Sequence, residues 1–231
     1  MSDETILAFE NVTIAAQPPY ETGLVGISFS LRRGDLLSIR IEEGLARIPF
    51  ADVAEGVVDP DAGRVAFLGE DWRMMSPNRS AERRGKIGRV FETHAWISNL
   101  DVDENITLVQ RHHTARPEDE IAREAEALVR QFGLEGLPRV RPAVVRRSDL
   151  RRAEWARAFI GEPQLIILEN PTKDVYLDAL PALLDVVKAA RERGAAVIWM
   201  TDDVRALLQV APESTHTFEF RGAGLVLWEG K

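Results

Sequence analysis

Cysteine is absent from the 231 residues, which excludes disulfides and a thiolate metal site and fits a reducing compartment. Positive charge is in the minority. Lys and Arg number 29 against 37 Asp and Glu, a formal net charge of −8, whereas a general nucleic-acid binder presents a basic face. No apolar run nears the ~18 residues of a membrane span. The opening MSDETILAFENV lacks the basic and apolar regions of a signal peptide. The expectation is a soluble, cytoplasmic chain that reaches a membrane only through a partner. What is present is an apolar content of 45%, ample for the core of one large domain.

Alternating or continuous apolar stretches predict strands over residues 6–10, 26–31, 36–41, 64–68, 86–91, 164–168 and 195–200, and a hairpin over 217–228. Turn residues fall at Arg32-Arg33-Gly34-Asp35 and at Asp59-Pro60-Asp61-Ala62-Gly63. Helices are expected over 47–56, from Ser76-Pro77 to 84, through most of 99–136, and over 151–160, 180–193 and 202–210. This order predicts an α/β core with an antiparallel β flank and a helical insert.

One connection lies where strand 36–41 gives way to a helix, the context of a phosphate-binding loop of pattern G-x-x-x-x-G-K-[ST]. The chain reads Ile41-Glu42-Glu43-Gly44-Leu45-Ala46-Arg47-Ile48-Pro49. Both glycine positions are lost, at Ile41 and Ala46, although bare backbone N–H groups are what such a loop aims at phosphate. Glu42 and Glu43 place carboxylates beside the expected polyanion. Arg47 holds the lysine position and can still meet a phosphate. Ile48 offers no oxygen to Mg²⁺, and Pro49 offers no N–H.

Further along, Leu165-Ile166-Ile167-Leu168-Glu169-Asn170-Pro171-Thr172 is similar to the Walker B strand "LLLLDEPT". Met200-Thr201-Asp202-Asp203 falls where "VTHD" is expected, and Val145-Arg146-Arg147-Ser148-Asp149 where "LSGGQ" belongs, followed by Arg151-Arg152-Ala153-Glu154-Trp155-Ala156-Arg157-Ala158. With Gly34-Asp35-Leu36 and the 59–63 turn in register, the chain resembles the nucleotide-binding subunit of ABC transporters, a P-loop-NTPase-like fold, over nearly its whole length. Met74-Met75-Ser76-Pro77 and the stretch 91–106 are similar to the lipid-trafficking Mce/Mla type. The resemblance implies one domain over 1–231, with flank and core from 1–91 and 160–231 and a helical subdomain over about 92–159.

The resemblance also assigns positions. The adenine-stacking aromatic falls near Ala16, with Tyr20 as a substitute close by. Glu169 stands at the metal-binding aspartate and keeps its charge. Asn170 stands at the catalytic glutamate, and an amide cannot activate water. Asp202 stands at the phosphate-sensing histidine and is expected to cap the next helix. Glu92 stands at the Q-loop glutamine and Tyr176 at the D-loop aspartate. Arg146 and Arg147 replace the serine and first glycine of the signature, beside Ser148. Acting in trans, these cations could face a partner's triphosphate. The segment around Trp96, Ile97, Asn99 and Leu100 is where the family meets its membrane subunit.

The expectation is therefore a non-catalytic cassette with no cofactor of its own, meeting ATP and Mg²⁺ only weakly or at a partner's site. It would couple a second cassette, in a heterodimer or homodimer, to a membrane-spanning permease, with lipid as a candidate cargo. Two alternatives stand beside it: a free-standing scaffold that keeps the cassette's dimer surface, and a weak ATPase using Arg47 and Glu169.

Overall fold

The computed structural model describes residues 4–20, 22–42, 47–93 and 95–228. The chain opens with β1 (Thr5–Ile14), β2 (Leu24–Arg32) and β3 (Leu36–Arg40), then α1 (Phe50–Ala54), β4 (Ala62–Phe67) and β5 (Glu70–Asp71). Next come α2 (Pro77–Arg84), β6 (Ile87–Val90), α3 (Val102–His113), α4 (Glu118–Gln131) and α5 (Arg147–Phe159). The remainder is β7 (Leu165–Glu169), α6 (Leu180–Glu192), β8 (Ala196–Thr201), α7 (Val204–Val210), β9 (His216–Arg221) and β10 (Gly224–Leu227).

A six-stranded sheet runs β10-β9-β3-β8-β7-β6. Its strands are parallel from β9 to β6, and β10 is antiparallel to β9. A four-stranded antiparallel sheet runs β2-β1-β4-β5. This is the α/β core with antiparallel flank and helical insert expected from the sequence.

Parallel strands covered on both faces are apolar at nearly every position, and successive side chains point to opposite sides. In β7, Leu165 and Ile167 join the core shared with the antiparallel sheet, while Ile166 and Leu168 join the core beneath the helices. In β8, Ala196, Ile198 and Met200 face the first core, Val197 and Trp199 the second.

α1 is shorter than expected, beginning at Phe50 behind Pro49 rather than at residue 47. It is held by an aromatic cluster. The Phe50 ring lies 5.1 Å from Phe9 and 5.7 Å from Phe29, and its edge meets Phe220 at 5.6 Å. α5 is longer than expected and starts at Arg147.

α5 also packs unusually close to β6. A Cβ added at Gly88 would overlap the Ala158 carbonyl. Gly88→Ala should therefore cost about 1–3 kcal/mol, the usual penalty of overpacking. Urea denaturation measures it, and an unchanged midpoint would contradict this close approach.

Candidate functional site

In open α/β sheets the crevice lies beyond the carboxyl ends of the strands. Here β3 ends at Arg40, β6 at Val90, β7 at Glu169 and β8 at Thr201. The segment after β3 is tied to β8 by the Ile41 N–H, which donates to the Thr201 carbonyl at 2.9 Å. The loop reading at Glu43, Gly44, Leu45 and Ala46 lies outside the described residues. On either side of them, Glu42 and Arg47 are exposed, and Ile48 is buried in the core beneath the antiparallel sheet.

Arg47 and Tyr20 come together. The guanidinium carbon sits 5.7 Å from the Tyr20 ring centroid, and Arg47 Nη2 is 3.9 Å from Asp52 Oδ2. The Tyr20 hydroxyl donates to Asp52, so the side chain is anchored to α1. Burial, then the Asp52 carboxylate, push this hydroxyl up to about 12. Ala16 is exposed.

Beneath them lies a charged cluster that local sequence patterns did not reveal. Arg89, on β6, is 7% exposed and donates to three carboxylates. Its Nε reaches Glu169 Oε1 at 2.6 Å, and its Nη1 reaches Asp52 Oδ1 at 2.7 Å and Glu55 Oε2 at 2.9 Å. The guanidinium also lies over the Phe91 ring, 4.4 Å from its centroid. The only local signal is an arginine inside an otherwise apolar strand.

The electrostatics follow from three acids sharing one cation. Burial pushes both Glu55 and Glu169 above the ordinary carboxylate range, with Arg89 only partly opposing. Burial also penalises Asp52, but the Tyr20 hydrogen bond and Arg89 outweigh it and hold Asp52 below its ordinary value. Burial penalises the Arg89 cation too, but Glu55 and Glu169 outweigh it and hold the group more firmly protonated than usual.

Asn170, at the end of β7, is buried with φ 43°, a left-handed backbone that asparagine tolerates. Its side-chain oxygen accepts from the Asp202 N–H at 2.9 Å, and its own N–H donates to the Met200 carbonyl at 2.8 Å. The expected cap at Asp202 is corrected. Asp203 caps α7, accepting from the Arg205 N–H at 2.9 Å, and Asp202 stays exposed. The reason is register, since α7 starts at Val204.

Glu92 is half-buried, and its carbonyl accepts from Arg151 at 3.3 Å. Arg151 also donates to the carbonyls of Phe91 at 2.8 Å and Lys173 at 3.2 Å, and pairs with Glu154 at 2.7 Å. A fully buried arginine thus binds α5 to the segments after β6 and β7. At the start of α5, Arg146 pairs with Asp149 at 2.8 Å while Arg147 is exposed and Ser148 half-buried. Tyr176 is 81% exposed.

Trp96 packs against the helical core, and the Arg157 guanidinium covers its ring at 4.6 Å. Ile97 and Asn99 are exposed, and Leu100 is half-buried. Asn105 shapes this loop. Its amide accepts from the Ile97 N–H at 2.9 Å and donates to the carbonyls of Ile97, Leu100 and Asp101 at 3.1, 3.3 and 2.9 Å. Between loop and β6 runs a groove of about 220 Å³ lined by Gly88, Phe91, Ile97, Asn105, Val109 and Arg157.

A family model described as ABC transporter matches residues 24–173. The chain is 26% identical over 210 residues to the ribose import ATP-binding protein RbsA 2 of Streptomyces coelicolor, covering 90% of this chain and 40% of that one. It is 26% identical over 188 residues to the intermembrane phospholipid transport system ATP-binding protein MlaF of Escherichia coli, covering 80% and 69%. A solved ATP-binding cassette dimer, in a post-hydrolysis state with ADP and Pi, superposes with a TM-score of 0.82 at 19% identity, covering 95% and 96%. The chain spans between 40% and 54% of the lengths of its ribose and sulfate import relatives.

These relatives overturn one expectation, that the chain has no cofactor and meets ATP and Mg²⁺ only weakly or at a partner's site. They are ATP-binding proteins by name, and the superposed cassette is bound to ADP and phosphate.

The cluster makes stability depend on pH. Glu55 and Glu169 are raised, so their contribution is complete below the ordinary carboxylate value and is lost as pH rises through the raised values. Asp52 is lowered, so its contribution is lost as pH falls through its depressed value. Above the ordinary carboxylate range, as pH rises through their raised values, the glutamates dominate. Glu55→Gln should therefore flatten the decline in melting temperature over that window, measured by scanning calorimetry against the parent chain.

Proposed function

The chain belongs to the ABC transporter family, and from that premise we propose that it is an ATP-binding cassette subunit that does not hydrolyse ATP. It pairs with a second cassette and couples it to a membrane-spanning subunit, which holds it at the membrane. The observation that supports this most is Asn170. It stands where the family's resemblance places a carboxylate base, and its amide oxygen accepts from the Asp202 N–H instead. An amide has no basicity with which to take a proton from water. Phosphoryl transfer needs positioned charge at every part of the site, and the hydroxyl position, Ile48, is buried among apolar side chains.

ATP binding is a separate matter from turnover. Arg47 is exposed and only loosely paired, so its guanidinium is available to phosphate, for which its fork geometry is suited. When bound, ATP supplies the interaction energy that holds cassettes together. For the membrane subunit, the exposed Ile97 and the groove beside it are the surface that supports the reading, with Trp96, Asn99 and Leu100 around them. For the second cassette it is the start of α5, with Arg146, Arg147 and Ser148. The phospholipid-transport relative supports lipid as the cargo class.

A complex whose sole cassette is this chain should release phosphate from ATP at the no-protein rate. Turnover above that rate that is lost on substituting Arg47 or Glu169 would overturn the non-catalytic reading. Arg47→Ala should weaken ATP binding by about tenfold or more, as loss of a charged hydrogen bond implies. Titration calorimetry of the full chain measures this. Ile97→Asp should reduce co-purification of the membrane subunit while leaving ATP binding unchanged.

A further inference from the structure

Glu169 occupies the position that the family's resemblance gives to a metal-binding carboxylate, but its surroundings do not fit a divalent ion. Mg²⁺ demands near-octahedral oxygen ligands. The hydroxyl position is Ile48, whose side chain is packed in the apolar core. The near oxygen of Glu169 is bonded to Arg89 Nε at 2.6 Å. Among the described residues no group of three or more acids or histidines is placed to hold a metal ion. Asp52, Glu55 and Glu169 approach one another here only with a guanidinium between them.

We infer that Arg89 is the resident cation of this site, doing for Glu169 electrostatically what a bound divalent metal would do. The geometry carries this on three counts. The guanidinium contacts all three carboxylates, and it reaches them from β6, the edge strand paired with β7. It is also buried, so it is part of the fold and does not exchange with solvent ions. An arginine cannot lose its proton in a protein, so the charge is permanent. A metal that arrives with ATP is then held by the phosphates and not by Glu169. This last step rests on the ATP-binding reading above.

The metal alone tests the inference without ATP. Mn²⁺ titrated into the full chain, followed by electron paramagnetic resonance, should show no bound ion that Glu169→Gln removes; an ion that this substitution does remove overturns the inference. Removing the guanidinium should create a demand for a cation. In Arg89→Met, Mn²⁺ should raise the melting temperature by roughly 3 °C or more, as ligand linkage implies, while the parent chain does not respond. Arg89→Gln, polar but uncharged, provides the same readout if the methionine variant is insoluble. A variant as unresponsive as the parent overturns the inference. Calorimetry with ATP then adds a second arm. Affinity in excess Mg²⁺ and in EDTA should agree within about twofold, and a tenfold or greater difference lost in Glu169→Gln overturns the inference (tenfold being about 1.4 kcal/mol). If ATP fails to bind under either condition, the ATP-binding reading fails while the Mn²⁺ arm still decides the role of Arg89.

Discussion

One guanidinium with three carboxylates around it sets where β6, α1 and β7 meet. An unpaired charge at this depth would cost several kcal/mol, so neither the arginine nor the acids are tolerable alone. Arg89 therefore constrains three elements at once, through Asp52 and Glu55 on and just after α1 and Glu169 on β7. The strand that carries it meets opposite demands at neighbouring positions. Gly88 must present no side chain to α5, and Arg89 must present a long cation to the other face. The two-residue period of a strand satisfies both.

Much of the fold was legible because burial on both faces leaves a plain mark. The runs that became β7 and β8 are continuously apolar, and the turn at Gly222 marks the closing hairpin. Helix ends were less legible. Pro49 delays α1, and α7 takes its cap from Asp203 because the chain is still turning at Asp202. The charged cluster was not legible at all. Its members are 34 to 80 positions from Arg89, and no local periodicity reports a partner at that distance. The same holds for Arg151, which reads as one more polar helix residue until its carbonyl partners are seen.

On the proposed non-catalytic reading, family membership and residue chemistry differ at this crevice. The frame is that of an ATP-binding cassette. The side chains on which that reading rests are engaged inside the protein. Ile48 fills apolar core, Glu169 is paired, and Asn170 braces the end of β7 against the start of the α7 turn. Such contacts are made between residues of one chain and need no ligand to complete them.

The four hydrogen bonds of the Asn105 amide have a thermodynamic consequence for the loop over residues 97–101. Ordering a flexible loop on association subtracts conformational entropy from the binding free energy. Here that ordering is completed during folding, by a side chain buried in α3. The backbone of this loop is preorganised, so a partner docking here, as proposed, would meet a shape already present and spend little of its contact energy on creating one.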